Sequence, residues 1–179
     1  MTSGCDNQGC GVAPQPPRDW LASVSIEPMR QEDVAAVREI DQTSFPSAWS
    51  AESYLRDLRN RSSHYVVGRL AGEVVGYAGM WLIQDEAHIS TLAVRPDCRR
   101  RGLGARLLSH LLEAAEERGA REVTLEAREG NSAAQALYER FGFRSKGFIP
   151  RYYGDTGENA VVMGKRLSPR DEPRLPGDG

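Results

Sequence analysis

Leu92-Ala93-Val94-Arg95-Pro96-Asp97-Cys98-Arg99-Arg100-Arg101-Gly102-Leu103-Gly104-Ala105 is the stretch on which the reading of this chain turns. An apolar strand ends at Val94. An arginine- and glycine-rich turn follows, and a helix opens at once: Leu103, Leu107, Leu108, Leu111 and Ala115 recur on one helical face. A helix start leaves backbone N–H groups unpaired and carries partial positive charge. Glycine lets an anion approach the backbone closely. The combination makes a phosphate site, and a pyrophosphate suits it. Two rival phosphate motifs fail. A dinucleotide fingerprint needs a third glycine where Leu107 stands, and a P-loop needs a Gly-Lys-Ser/Thr tripeptide that is absent. Taken alone, the turn is equally readable as a helix start with solvated arginines.

On either side of this turn, patterning predicts the remaining elements. Ser23–Met29 reads as a first strand. Val34, Val37 and Ile40 share a helical face. Phe45-Pro46-Ser47-Ala48-Trp49 interrupts that helix, and Ser50 caps a short second one carrying Tyr54, Leu55 and Leu58. His64–Arg69 and Val74–Leu82 form a hairpin around Ala71-Gly72, and Ala87–Val94 is a further strand. Gly119 stops the long helix, and Glu122–Ala127 alternates as a strand. Asn131 caps a helix with Ala134, Leu137, Tyr138 and Phe141 on one side, ended by Gly142. Phe143–Tyr153 and Ala160–Leu167 are two final strands joined by the Asp155–Asn159 loop. The order β-α-α-β-β-β-α-β-α-β-β mixes hairpins with crossovers. That predicts an α/β fold with a mixed sheet rather than an all-parallel one.

Composition narrows the function. The 179 residues fit one domain, with 40% hydrophobic and 27% charged residues. Residues 1–22 and 168–179 are polar, rich in Gly and Pro, and read as a flexible leader and tail around a folded unit over 23–167. A formal net charge of −2 argues against a dedicated nucleic-acid binder. No run approaches the ~20 apolar residues of a membrane span, and no signal peptide opens the chain. Neither nucleic acid nor membrane is therefore an expected partner, and the expected location is cytoplasmic. The three cysteines, Cys5, Cys10 and Cys98, make neither a disulfide framework nor a zinc site, and no metal is expected.

Arg99-x-x-Gly102-x-Gly104 resembles the R/Q-x-x-G-x-G/A signature of the GNAT superfamily of N-acetyltransferases, and the resemblance runs over most of Ile26–Leu167. It implies the acyl-CoA N-acyltransferase fold, a central mixed sheet flanked by helices, and acetyl-CoA as acetyl donor. It implies a pyrophosphate cradle over Arg99, Arg100, Arg101, Gly102, Leu103, Gly104 and Ala105. It also implies a donor-lining strand at Leu92, Ala93 and Val94, whose N–H groups would face the thioester carbonyl as an oxyanion hole. A second stretch, from Leu125-Glu126-Ala127-Arg128 through Asn131, Ala134 and Leu137-Tyr138 to Gly142-Phe143, is similar to the RimI branch of that superfamily. RimI enzymes acetylate the N-terminal alanine of a ribosomal protein.

That similarity implies Glu126 as general base, Tyr138 as general acid and Asn131 as a coenzyme A contact. The chemistry agrees for Glu126, because an ammonium must lose a proton before attacking a thioester. For Tyr138 it demands more. A phenol near ~10 protonating a thiolate near ~8.5 runs uphill by about 2 kcal/mol unless the site lowers the phenol pKa. His88, just upstream of Leu92, is a second candidate base, whereas His64 and His110 read as structural. For the acceptor, the loop holding Trp49 and the segment Arg151-Tyr152-Tyr153 resemble the two loops lining the peptide groove of RimI enzymes, although Pro46-Ser47-Ala48-Trp49 replaces a tighter Pro-Trp. The expected partner is a protein or peptide N-terminus, which the RimI similarity extends to that of a ribosomal protein. A small amine or lysine acceptor, or a non-catalytic CoA-binding regulator, are the competing readings.

Overall fold

In the computed structural model, which describes residues 20–167, seven strands form one sheet in the order β1-β2-β3-β4-β5-β7-β6. The strands are β1 (Val24–Pro28), β2 (Ser63–Leu70), β3 (Glu73–Ile83), β4 (Glu86–Val94), β5 (Glu122–Arg128), β6 (Arg144–Tyr153) and β7 (Glu158–Arg166). The helices are α1 (Val34–Ser44), α2 (Ala51–Leu58), α3 (Leu103–Glu117) and α4 (Ser132–Arg140). This is the element order that patterning predicts. Cys5, Cys10, the tail and most of the leader lie outside the described residues. Trp20–Ala22, placed by composition in the leader, belong to a turn of 3-10 helix, and Trp20 is buried in the core beside α3. A polar average over the segment hides one large apolar anchor.

The caps behave as their residue types dictate. The Ser50 side chain accepts from the Ser53 N–H (3.1 Å), and Asn131 Oδ1 accepts from the Ala134 N–H (3.1 Å). Gly119 and Gly142 take the left-handed φ that follows a helix end, at 83° and 88°. Strand alternation then divides the core. In β2, Val66 faces α3 and α4, while Tyr65 and Val67 face α1 and α2. The α3 face of Leu103, Leu107, Leu108, Leu111 and Ala115 is fully covered. Each of these leucines contributes roughly 1.5–3 kcal/mol of burial.

Among the described residues, only one pair of neighbouring strands is parallel. β4 and β5 align Glu86 with Glu122 through Ile89 with Leu125, and the ladder stops there. Beyond it β4 continues beside β3, and β5 beside β7. The break coincides with a bulge. Gly79 pairs with Thr91 and Met80 with Ile89, so Ser90 is the extra residue on β4. A bulge bends and twists its strand. Gly79 is required at this point: a Cβ there would lie 2.2 Å from the Tyr65 ring, which covers the bulged segment. The sheet therefore forks between β4 and β5. No helix among the described residues is long and apolar enough to cross a membrane.

On the α3 side of β2, the His64 ring stacks on His110 (6.0 Å, 15°). The Arg118 guanidinium donates to His64 Nδ1 (3.0 Å), so Nε2 carries the proton, and it is buried without a partner. Burial, with the nearby Arg118 charge, lowers the His64 pKa to about 4. The unfolded chain thus takes up a proton that the folded chain refuses. Stability from this histidine is complete above pH ~6.5 and drains away as pH falls toward 4, by on the order of 1–3 kcal/mol after allowing for partial exposure. Replacing His64 with Leu should flatten that part of the stability–pH curve, measured by urea unfolding at pH 7 and pH 4.5. An unchanged slope would show that His64 does not titrate in this way.

Candidate active site

The fork is lined on its β5 side by alternate residues. Val123, Leu125 and Ala127 point into the core with α3 and α4, so Thr124, Glu126 and Arg128 face the other way. His88 pairs with Thr124 across the parallel ladder, one position before the split. Its Nε2 lies 3.1 Å from Glu126 Oε2 and its Nδ1 3.1 Å from Thr124 Oγ1. In the neutral tautomer with the proton on Nε2, all three groups are satisfied. The Thr124 hydroxyl donates to Nδ1, and Nε2–H donates to the carboxylate. The His88 ring is steadied by Trp81, which stacks on it at 6.2 Å and on Trp49 at 6.0 Å. The Trp81 indole N–H is in turn held by Asp57 (3.0 Å).

Glu126 and Tyr138 line one cleft of about 390 Å³, together with Trp49, Ser90, Thr91, Leu92, Asn131, Tyr152 and Tyr153. Tyr138 packs with the core on the α3 and α4 side, yet it borders this cleft through the gap between β4 and β5. Its hydroxyl has no hydrogen-bond partner among the described residues. Burial pushes its pKa up to about 12, opposite to the shift a proton donor to a thiolate would need. Tyr153 is also raised to about 12, chiefly by burial, with the nearby Arg128 charge acting against the shift. Tyr152 is raised too, by burial first and then by the charge of Glu126. All three phenols are neutral donors at physiological pH.

A second groove of about 330 Å³ adjoins the first and shares Ser44, Phe45, Leu92, Asn131 and Ala134 with it. Ala93, Val94, Arg99, Arg100, Leu103 and Gly104 complete much of its wall. The first α3 backbone bond joins the Arg106 N–H to the Gly102 carbonyl (3.1 Å). The N–H groups of Leu103, Gly104 and Ala105 therefore have no acceptor within the helix. These features suit a diphosphate on an extended arm: free N–H groups at a helix start, a wall glycine, and strand backbone left without a ladder partner.

Not every expected donor residue meets the groove. Arg101 does not line it; its guanidinium lies 5.7 Å from the Trp20 ring centroid, drawn there by the buried indole that the leader reading missed. Gly102 and Ala105 are not wall residues either, although Gly102 supplies the left-handed turn (φ 89°) that opens α3. The Arg99 side chain is engaged inward, donating to the Val94 carbonyl (2.8 Å) and to Ser44 Oγ (2.9 Å). It ties the turn to β4 and α1 as well as bordering the groove.

The end of the cleft where the acceptor is expected depends on residues that sequence reasoning did not single out. Asp41, 2% exposed, accepts the Trp49 backbone N–H (2.7 Å) on one oxygen and the Tyr77 hydroxyl on the other. Tyr77 meets Tyr54 (3.0 Å) and Thr91 (3.1 Å). The loop after α1 is thereby fastened to β3 and β4. The signal was available: Asp41 falls four residues after Val37, on the apolar face of α1. Across the cleft, Arg128 lies over Tyr153 (3.9 Å) and grips Asp155 (2.6 Å), whose carboxyl it holds below the usual range. Ser47 Oγ donates to the same Asp155 (3.4 Å), so the two loops touch above the cleft. In β6, a register break and a positive φ at Arg151 (51°) precede Tyr152 and Tyr153 and turn that end of the strand toward the site.

Residues 34–143 match the acetyltransferase (GNAT) family. The chain belongs to that family. An Escherichia coli relative named ribosomal protein bS18-alanine N-acetyltransferase is 33% identical over 148 residues, covering 80% of this chain and 98% of the relative. A Bacillus subtilis relative, provisionally given the same name, is 38% identical over 140 residues, covering 78% of this chain and 93% of its own length. The crystal structure of the E. coli ribosomal-protein-S18-alanine N-acetyltransferase superposes with a TM-score of 0.76 at 30% identity, over 85% of this chain and 98% of that one. The forked mixed sheet is thus that of a GNAT N-acetyltransferase, as the sequence resemblance implies.

Gly104 offers a direct check on the donor groove of this GNAT chain. A Cβ there would meet Leu137, Leu92 and Val94 at 3.6–3.9 Å, ordinary contact distances. Gly104→Ala should therefore fold normally and weaken acetyl-CoA binding modestly, whereas the branched Gly104→Val should abolish it. Calorimetric titration of both variants, with circular dichroism to confirm folding, is the measurement. Wild-type affinity in a folded Gly104→Val would remove the groove from consideration.

Proposed function

We propose that this enzyme transfers the acetyl group of acetyl-CoA to the N-terminal α-amine of a protein, with an N-terminal alanine such as that of ribosomal protein bS18 as the preferred acceptor. The observation that carries the reading is the oriented carboxylate at the fork. Glu126 stands where β4 and β5 part, held by His88, between the donor groove and the aromatic acceptor loops. The names of the E. coli and B. subtilis relatives support the choice of acceptor.

In this reading Glu126 takes the proton of the incoming ammonium, directly or through water. His88 holds one carboxylate oxygen and leaves the other free to act. Backbone N–H groups of β4 past the bulge stabilise charge on the thioester oxygen. Tyr138 serves as a hydrogen-bond donor to the departing sulfur rather than as a full acid. With the phenol at about 12, complete transfer to a thiolate near ~8.5 would run uphill by about 5 kcal/mol. The α-amine suits a single carboxylate of ordinary basicity. With a reference pKa of ~7.7–8.0, roughly a tenth is neutral at pH 7, against well under a thousandth of lysine side chains at ~10.4.

Glu126→Gln should retain acetyl-CoA binding and lose about 10²–10⁴-fold in kcat. The deficit should narrow at high pH, where the amine is already neutral. His88→Ala should lose less. Wild-type rates in Glu126→Gln at neutral pH would transfer the role of base to another group. Tyr138→Phe should slow the single-turnover acyl-transfer step by about 10–100-fold, as expected for a lost hydrogen bond to developing charge. An unchanged step would leave Tyr138 a packing residue. The acceptor class is read by mass spectrometry of a competition between the bS18 N-terminal peptide, with any lysine blocked, and an N-blocked peptide containing lysine. Faster modification of the second would assign the enzyme to lysine side chains.

A further inference from the structure

Asp57 is a buried carboxyl with no part in the steps assigned to Glu126 and Tyr138. It is 8% exposed and shares the buried face of α2 with Tyr54, while Leu55 and Leu58 pack alongside. Its hydrogen-bond partners are two neutral donors, and among the described residues no arginine, lysine or histidine pairs with it. Burying a carboxyl without a cation is costly, and an apolar side chain of similar size would avoid the cost. Packing of α2 on the sheet therefore does not account for this residue.

Its contacts lead to the site along two routes. One oxygen, Oδ2, accepts both the Tyr65 hydroxyl (2.9 Å) from β2 and the Trp81 indole N–H (3.0 Å) from β3. Tyr65 leads to the bulge. Its ring fills the space over Gly79, and its oxygen lies 3.3 Å from Ser90 Oγ, which is also 3.3 Å from the Gly79 carbonyl. Burial above all pushes the Tyr65 phenol well above its ordinary pKa, so it stays protonated and donates to the carboxyl. Trp81 leads to the base. It pairs with His88 across the β3–β4 ladder and stacks on the imidazole (6.2 Å, 29°), whose Nε2 holds Glu126 at 3.1 Å. Stacking fixes the separation of two rings but leaves them free to slide. The hydrogen bond to Asp57 removes that freedom by fixing the direction of the indole.

We propose that Asp57 is a positioning residue for acyl transfer. Its Oδ2 fixes Trp81 against His88 and Tyr65 beside Ser90. The base and the bulge that aims the β4 N–H groups are thereby held in register with each other. This rests on the reading of Glu126 as general base and deepens it. A carboxylate oxygen suits the task because it has lone pairs for two donors at once. The arrangement matters because a misplacement of about 1 Å at a reacting group can cost on the order of 10²-fold in rate.

The test uses four variants. Asp57→Leu fills the space without an acceptor, and Asp57→Asn keeps an acceptor oxygen. Trp81→Phe and Tyr65→Phe each remove one donor and keep a ring. Asp57→Leu should lose about 10–100-fold in kcat, with acetyl-CoA affinity unchanged by calorimetric titration, and Asp57→Asn should stay within about threefold of the wild type. Trp81→Phe should lose about tenfold alone and nothing further in a His88→Ala background, because its route runs through that imidazole. Tyr65→Phe should lose about threefold in both backgrounds, because its route runs to the bulge instead. A folded Asp57→Leu with wild-type kcat overturns the proposal. So does Asp57→Asn as slow as Asp57→Leu, or a Trp81→Phe loss that persists in full beside His88→Ala. If Asp57→Leu does not fold, the two phenylalanine variants decide, and wild-type kcat in both overturns it. A wild-type rate in Glu126→Gln marks a different failure, that of the general-base reading, while the Trp81 and His88 cycle still decides whether Asp57 acts through that ring.

Discussion

Everything at this site follows from one interruption of backbone pairing, the end of the β4–β5 ladder after Ile89 and Leu125. A buried strand that gives up its hydrogen-bonded neighbour leaves polar groups that must find another partner. β4 leaves such groups along Ser90–Val94, on the side away from β3. The fold tolerates the loss because β4 stays paired with β3 and β5 with β7, so each strand keeps one neighbour. An extended substrate arm carrying amides of its own is the natural complement to the vacated edge. The bulge at Ser90 and the bare Gly79 beneath Tyr65 set where the interruption falls.

The interruption also explains why groups from opposite faces of the sheet can act together. Glu126 lies on one face, with His88 and Thr124. Tyr138 comes from a helix packed on the other. In an unbroken sheet they would be separated by a layer of backbone. The gap removes that layer, and both border one cleft. His88 occupies the next-to-last paired position, where the ladder still fixes its backbone, so the ring can hold the Glu126 carboxylate at the edge of the opening.

Element order was legible because it rests on local signals: apolar period, cap residues, a turn rich in Gly and Arg. That Glu126 and Tyr138 belong together was implied only by the resemblance to the RimI branch, and both line one cleft. What was not legible rests on long-range contact. Nothing in the residue Ser90 announces a bulge; it exists because Tyr65 packs on Gly79 across two strands. Arg101 read as a phosphate ligand by its neighbours in sequence, but its partner, Trp20, is some eighty residues away. Asp41 left a trace, a carboxylate on an apolar helical face, and such a residue signals a buried polar network rather than a surface position. The pKa of Tyr138 depends on how closely the core closes around its ring, which no spacing encodes.

The bridge between Ser47 and Asp155 sets how the enzyme could turn over. Its two sides are held unequally. Asp155 is clamped by Arg128, and the far end of the other loop is fixed by Asp41 at Trp49. Only the span between Phe45 and Ala48 is held by a single long, exposed hydrogen bond of 3.4 Å. Such a contact is worth about 0.5–1 kcal/mol, little more than thermal energy. Opening this roof therefore needs no trigger, only a loop fluctuation of the nanosecond to microsecond kind rather than the swing of a domain.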